Sequence, residues 1–391
     1  MSAPAYPAAL MANYPPQAVT FVRGSGTELW DDRGKRYLDF LAGIGVTSLG
    51  HANPVVADAV AGQARTLLHV SNLYGTAIGP EVAATIDRLI GGPAGRVFFA
   101  NSGAEANECA IKLARKWGGR GRHVVLSAYG SFHGRTLATL HATGQPAKHE
   151  AFQPLPEGFR HVAYSDLAAL EAAVTPDVVA VLLETVQGEG GVHVPDPAYL
   201  AGVRRLCDDR HLLLILDEVQ TGLGRTGRWF GFQHAGIQPD VVTLAKALGN
   251  GVPIGACWAR ADVADVFVPG DHGTTLGGQP LAASAARAVL AEMERLDVPA
   301  MAARAGERLA RGLASLPGVE AVRGQGLLLA AQLAVAGSAR DVAARCLSAG
   351  LVVNPVTDSA LRFEPSLLVT DGEIDEAVAI LGQVLAGGPV G

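Results

Sequence analysis

Lys246 stands in the stretch Thr243-Leu244-Ala245-Lys246-Ala247-Leu248-Gly249-Asn250-Gly251, where the nearest acidic residue along the chain is Asp240. Desolvation among apolar neighbours favours the neutral amine of a lysine, and a neutral amine is a nucleophile toward carbonyls. Asp217 is equally unusual, because it closes the apolar run Leu212-Leu213-Leu214-Ile215-Leu216. A carboxylate at the end of a buried strand calls for a positive partner. A lysine poised to form a Schiff base and an aspartate aimed at a cation match the two ends of pyridoxal phosphate, whose protonated ring nitrogen makes it an electron sink.

Other polar clusters come directly after apolar runs. Ser102 and Glu105 in Asn101-Ser102-Gly103-Ala104-Glu105 have capping-box spacing, which by itself means a well-started helix. Gly103 and Ala104 also offer bare backbone N–H groups at a positive helix end, which suits a phosphate. Phe132 sits in the loop Gly130-Ser131-Phe132-His133-Gly134-Arg135, placed either to pack in the core or to cover a flat ring. Arg135 is a candidate clamp for a carboxylate, with a surface salt bridge as the plainer reading. Glu184 and Glu189 bracket Thr185-Val186-Gln187-Gly188, where an acid can bind an amine or hold an arginine. Thr274 and Thr275 precede Gly277-Gly278 and a helical pattern, a second phosphate contact or a flexible loop. Gly222-Leu223-Gly224-Arg225-Thr226-Gly227 matches a dinucleotide fingerprint, but Gly231, Gly236 and Pro239 interrupt the segment after it, and the required helix is not expected.

These residues need elements to position them. Apolar strands are expected at 96–100, 123–126, 178–183, 212–216 and 241–244, and helices at 104–117 and 200–210. Continuous apolar strands separated by helices imply an α/β fold, a mostly parallel sheet covered on both faces. Its site should lie beyond the carboxyl ends of the strands. Residues 19–30 alternate and turn at glycine like a hairpin. The C-terminal part reads as a long helix to Leu296, strands at 326–332 and 361–363, and a final helix from about Asp371. The expected division is an N-terminal segment 1–50, a large domain 51–276 and a C-terminal part 277–391, with both chain ends building one smaller α+β domain.

Composition narrows the classes. Charged residues are 17% and hydrophobic residues 49%, a balance that implies extensive burial and a subunit interface. A net charge of −6 without a basic run argues against nucleic acid. No apolar stretch approaches the ~20 residues needed to span a bilayer, and residues 1–7 lack signal-peptide character, so a cytoplasmic protein is expected. Cys109, Cys207, Cys257 and Cys346 are scattered, so neither a disulfide framework nor a metal site is expected.

In this order, Asn101-Ser102-Gly103-Ala104-Glu105-Ala106-Asn107-Glu108, Ser131-Phe132-His133-Gly134-Arg135-Thr136, Gln187-Gly188-Glu189-Gly190-Gly191, the 216–227 segment and Leu361-Arg362-Phe363-Glu364-Pro365-Ser366 resemble the class III, fold-type I, pyridoxal-phosphate aminotransferases. The resemblance runs from about Tyr14 to Leu385 and is greatest to the acetylornithine branch. It implies that Lys246 holds the cofactor covalently, that Asp217 pairs with its ring nitrogen, and that Val219, Gln220 and Phe132 surround the ring. It implies a phosphate seat at Ser102, Gly103 and Ala104, completed by Thr275 of a second subunit in a homodimer. Arg135 would bind the α-carboxylate of N-acetylornithine, and Arg362 that of glutamate or 2-oxoglutarate, with Glu189 masking Arg362 while the ω-amine substrate is bound. The small-molecule partners are then N-acetylornithine and 2-oxoglutarate, in a ping-pong reaction of arginine biosynthesis.

Four positions depart from the family pattern: Thr185 for a common proline, Thr47 and Gln279 for frequent asparagines, and Glu364 for a usually uncharged residue beside Arg362. They bear on substrate choice and leave the lysine–aspartate chemistry untouched. Ornithine, 4-aminobutyrate and succinyl-diaminopimelate aminotransferases are the rivals on the same fold. A non-enzymatic ligand-binding relative is the rival from another class.

Overall fold

The protein is described from a computed structural model that covers residues 9–335 and 338–387; the opening stretch 1–7 lies outside them. Its central sheet has the strand order Gly95–Ala100, Gly255–Arg260, Val241–Leu244, Leu213–Asp217, Val178–Glu184, Val124–Ala128, Phe159–Val162. The last five of these pair in parallel, as the apolar runs predict for four of them, while Phe159–Val162 was not expected. Gly255–Arg260 runs antiparallel to both neighbours and was not anticipated from the sequence. Its direction has a simple cause. Residues 245–254 are too few for the crossover of about a dozen or more that a parallel neighbour needs, and the chain doubles back through Asn250 and Gly251, both at positive φ.

Both faces of the sheet are covered. Along Leu213–Asp217, Leu213 and Ile215 join one apolar cluster while Leu214 and Leu216 join the other, the period-two alternation of a strand buried on both sides. Helix Gly103–Gly118 supplies Cys109, Ala110, Ile111 and Leu113 to the first cluster. Helix Tyr199–Arg210 supplies Val203, Leu206 and Cys207 to the second.

Two smaller sheets flank this unit. Phe21–Ser25 and Glu28–Asp31 form the expected hairpin, Arg36–Asp39 extends it, and Leu351–Val352 adds in parallel from the far end of the chain. The other sheet has the order Val319–Gln325, Leu328–Leu333, Ala360–Phe363, Asn354–Thr357. Helix Pro280–Leu296 packs on helices Pro54–Thr66 and Ile78–Ile90. The glycine-rich 222–227 segment opens no helix. Its Arg225 is fully buried, and the guanidinium donates to the carbonyls of Leu327 (3.1 Å) and Pro365 (2.5 Å) and to Ser48 Oγ (3.1 Å). One side chain thus ties the central unit to both ends of the chain.

Candidate active site

The carboxyl ends of the parallel strands open into a cavity of about 600 Å³ lined by Ser102, Gly103, Phe132, Asp217, Val219 and Lys246, among others. Ala104, Arg135, Glu189 and Gln220 also line it. Arg362 lies behind this wall, fully buried, and Thr275 is exposed on a loop outside it.

Asp217 ends its strand with a carboxylate fixed on three sides. Its Oδ2 accepts from Asn107 Nδ2 at 2.8 Å and from His133 Nδ1 at 2.8 Å, and its Oδ1 accepts from the Val219 N–H at 3.0 Å. Asn107 is itself held, accepting from Thr243 Oγ1 at 2.8 Å and donating to the His133 carbonyl at 2.8 Å. Sequence reasoning gave no role to Asn107 or His133. The available signal was a polar asparagine on the buried face of helix Gly103–Gly118, between Ala106 and Cys109.

Lys246 begins the tight turn Lys246–Gly249 directly after strand Val241–Leu244, with φ at +42°, a conformation unusual for a residue with a side chain. Its side chain is partly exposed to the cavity yet deep within protein, and desolvation lowers the pKa of the amine. Glu364, Glu189 and Asp217 oppose that shift, and Arg362 adds to it. Among the described residues the amine makes no hydrogen bond, so it is free to react.

The seat at helix Gly103–Gly118 is open for an anion. Ser102 Oγ accepts the Glu105 N–H at 3.2 Å, while Glu105 reaches back past Ser102 to the N–H of Asn101 at 2.8 Å. The first helical N–H groups, those of Gly103 and Ala104, are left without intrahelical partners. A Cβ at Gly103 would lie 2.9 Å from both Val219 methyls, so glycine is what allows the seat and Val219 to sit together. The underside is equally tight, with a Cβ at Gly255 falling 2.3 Å from the Ser102 carbonyl oxygen.

Phe132 is half-buried, with the exposed Arg135 guanidinium 5.5 Å from its ring centroid. Glu184 pins the surrounding loops, accepting from the N–H groups of Phe132 (3.1 Å) and Gly188 (3.3 Å). Burial, with Asp217 beside it, pushes the Glu184 carboxyl well above its usual range.

Glu189 and Arg362 form an ion pair of 2.6 Å, and Arg362 also donates to Asn354 Oδ1 at 2.9 Å from the register partner on the next strand. Burial raises the Glu189 pKa, but the Arg362 charge and hydrogen bond outweigh it, and the carboxyl is lowered overall. Gln220 donates from Nε2 to Glu364 Oε2 at 3.2 Å. The other departures lie apart from this pair. Thr185 donates to Thr221 Oγ1 at 3.0 Å, Gln279 accepts from the Val70 N–H at 3.0 Å, and Thr47 Oγ1 is buried without a partner among the described residues.

These groups fit pyridoxal phosphate. Free N–H groups at a helix start suit a phosphate, a fixed carboxylate suits a pyridinium, and a desolvated primary amine suits an aldehyde. The sequence profile of the aminotransferases of class III matches residues 10–385. The acetylornithine aminotransferase of Caldanaerobacter subterraneus subsp. tengcongensis is 47% identical, over 96% of this chain and 97% of its own length. That of Gloeobacter violaceus is 49% identical over 97% and 96%. Among solved structures, ornithine aminotransferase from Toxoplasma gondii superposes with a TM-score of 0.91 at 35% identity, covering 97% of this chain and 92% of its own. N-acetylornithine aminotransferase from Stenotrophomonas maltophilia gives 0.84 at 37% identity, covering 95% and 96%. Matched almost end to end in sequence and in fold, the chain belongs to the class-III aminotransferases, enzymes that work with pyridoxal phosphate.

Proposed function

We propose that the enzyme moves the δ-amino group of N2-acetylornithine to 2-oxoglutarate, giving N-acetylglutamate 5-semialdehyde and glutamate. The observation that carries this reading is the pairing of a masked and an open arginine. Among the described residues Arg135 makes no ion pair at the cavity wall, whereas Arg362 is paired with Glu189 at 2.6 Å. A terminal amine with a distant carboxylate needs one arginine far from the reacting carbon and no bare cation near it. An α-amino or 2-oxo acid needs the second arginine uncovered. The names of relatives 47–49% identical over nearly the whole chain favour the same substrate.

Pyridoxal phosphate, when bound, supplies the conjugated sink that makes a proton next to the transferred nitrogen acidic. The chain supplies the rest. Gly103 and Ala104 offer N–H groups to the phosphate, and Asp217, braced by Asn107 and His133, offers its carboxylate to the ring nitrogen. Phe132 and Val219 exclude water around the ring. The Lys246 amine, whose pKa desolvation lowers, takes the proton from the substrate carbon and returns it to the acceptor position. Glu189 covers Arg362 in the first half-reaction and releases it in the second.

We further infer a homodimer. The loops at 67–74 and 274–276 are tied by Asn72 Nδ2 donating to the Thr274 carbonyl at 3.1 Å. Together they expose Leu68, Leu73, Tyr74 and Leu276, an apolar patch that a second copy would cover while bringing Thr275 to its partner's phosphate seat.

A side-by-side kcat/KM for N-acetylornithine, ornithine and 4-aminobutyrate tests the substrate. N-acetylornithine should lead; a preference for either of the others overturns the assignment. Lys246→Ala should abolish turnover and the yellow, borohydride-trappable chromophore. A variant that kept both would remove Lys246 from the chemistry.

A further inference from the structure

Arg362 is a buried guanidinium with one removable counter-ion and one fixed one. Its Nη1 donates to Glu189 at 2.6 Å, its Nη2 donates to Asn354, and its Nε has no hydrogen-bond acceptor among the described residues but lies 3.8 Å from Glu364 Oε2. Glu189 keeps a third of its side chain exposed and stands between Gly188 and Gly190 on a cavity loop, so it can swing away. Glu364 has no such freedom. Its side chain has no exposed surface, its Oε2 accepts from Gln220, and its Oε1 presses against the backbone of Gly45, where a Cβ would sit 2.2 Å away.

The two carboxylates therefore answer different events. When Glu189 leaves, a desolvated guanidinium would ordinarily become an uncompensated charge with a strong pull on any arriving carboxylate. Here Glu364 stays, with its Oε2 3.8 Å from the guanidinium Nε. The arriving carboxylate then meets a cation already compensated, with a like charge next to it.

We propose that Glu364 is a specificity-determining residue, a fixed counter-ion that keeps Arg362 compensated after Glu189 departs. It weakens the hold on a carboxylate beside the reacting carbon and biases the enzyme toward terminal amines and away from α-amino and 2-oxo acids. This rests on Arg362 being the arginine that meets that carboxylate, as in the reading above.

The test uses the cofactor-loaded enzyme and glutarate, an unreactive dicarboxylate, with binding measured by calorimetry. Glu364→Gln keeps an amide oxygen for Gln220 and removes the charge. It should tighten glutarate roughly tenfold and leave the half-saturating concentration of N-acetylornithine, read from the first half-reaction, within about twofold. Glu364→Asp, whose carboxylate is drawn back from Arg362, should tighten glutarate by an intermediate factor, and it decides the matter if the glutamine variant does not fold. Unchanged or weakened glutarate binding overturns the proposal, and so does equal tightening of the amine. Glutarate binding needs no turnover. An enzyme inactive on N-acetylornithine whose variant still tightens glutarate would sink the substrate assignment and keep this inference, with the enzyme's true amine as the comparison.

Discussion

Lys246 concentrates two costs in one position. It adopts a left-handed backbone conformation, and it holds an amine that burial would rather keep neutral. The second cost has a pH signature. Burial sets the folded-state pKa below the ordinary 10.5, so between the two values the unfolded chain binds a proton that the folded chain does not. Above 10.5 the penalty is absent; as pH falls it grows, and it is complete below the folded-state pKa. Lys246→Met, similar in shape and uncharged, should therefore raise the melting temperature of the cofactor-free protein at pH 7.5 by on the order of a few degrees. The gain should shrink toward zero near pH 10.5. An equal gain at both pH values would mean that packing, not charge, sets the effect. The same residue in its loaded state is spared this cost, because an amine committed to the cofactor no longer faces desolvation alone.

At the scale of elements, the site is a set of strand ends and helix starts brought together by close backbone contacts. The reversed strand Gly255–Arg260 is the floor under the start of helix Gly103–Gly118, since Gly255 leaves no room for a side chain below the Ser102 carbonyl. Gly255→Ala drives a methyl into backbone, where no rotamer change relieves it. It should cost about 1–3 kcal/mol in thermal or urea melts and weaken the affinity for pyridoxal phosphate as well. A variant as stable as the parent would show that the floor can give. Much of this arrangement was legible in the sequence. The apolar runs ending in Asp217 and Glu184 specify parallel strands, and glycine-containing segments after strand ends line the cavity. The reversed strand was not legible, because Ala256, Cys257, Trp258 and Ala259 look the same in either direction and only the short connection decides. Asn107 and His133 were hidden for a different reason. Their value lies in one bond each to a carboxylate far away in sequence, and no local pattern encodes that.

For the whole molecule, the exposed leucines and tyrosine at 67–74 set a condition on activity. If they meet a second copy, the enzyme sediments as a dimer or larger. Leu73→Asp with Tyr74→Asp should then yield monomers that bind pyridoxal phosphate at least about tenfold more weakly, since burying like charges in an apolar interface costs several kcal/mol. Analytical ultracentrifugation alongside cofactor titration reads both effects. Monomers of full affinity would refute the shared site. The Glu189–Arg362 pair also belongs to this scale, because Arg362 comes from the C-terminal sheet and Glu189 from the central unit. The C-terminal sheet must therefore be seated against the central unit for that pair to form.

The parallel pairing of Leu38 with Leu351 bears on how the chain is made. During synthesis the N-terminal hairpin and the strand Arg36–Asp39 leave the ribosome long before their edge partner, Leu351–Val352. Until that partner arrives the edge is an unpaired strand with Tyr37 and Leu38 uncovered, a standing invitation to the wrong neighbour. Yield in the cell should consequently be limited by how well this early strand is shielded until its distant partner arrives, a long-range pairing of the slow-folding kind.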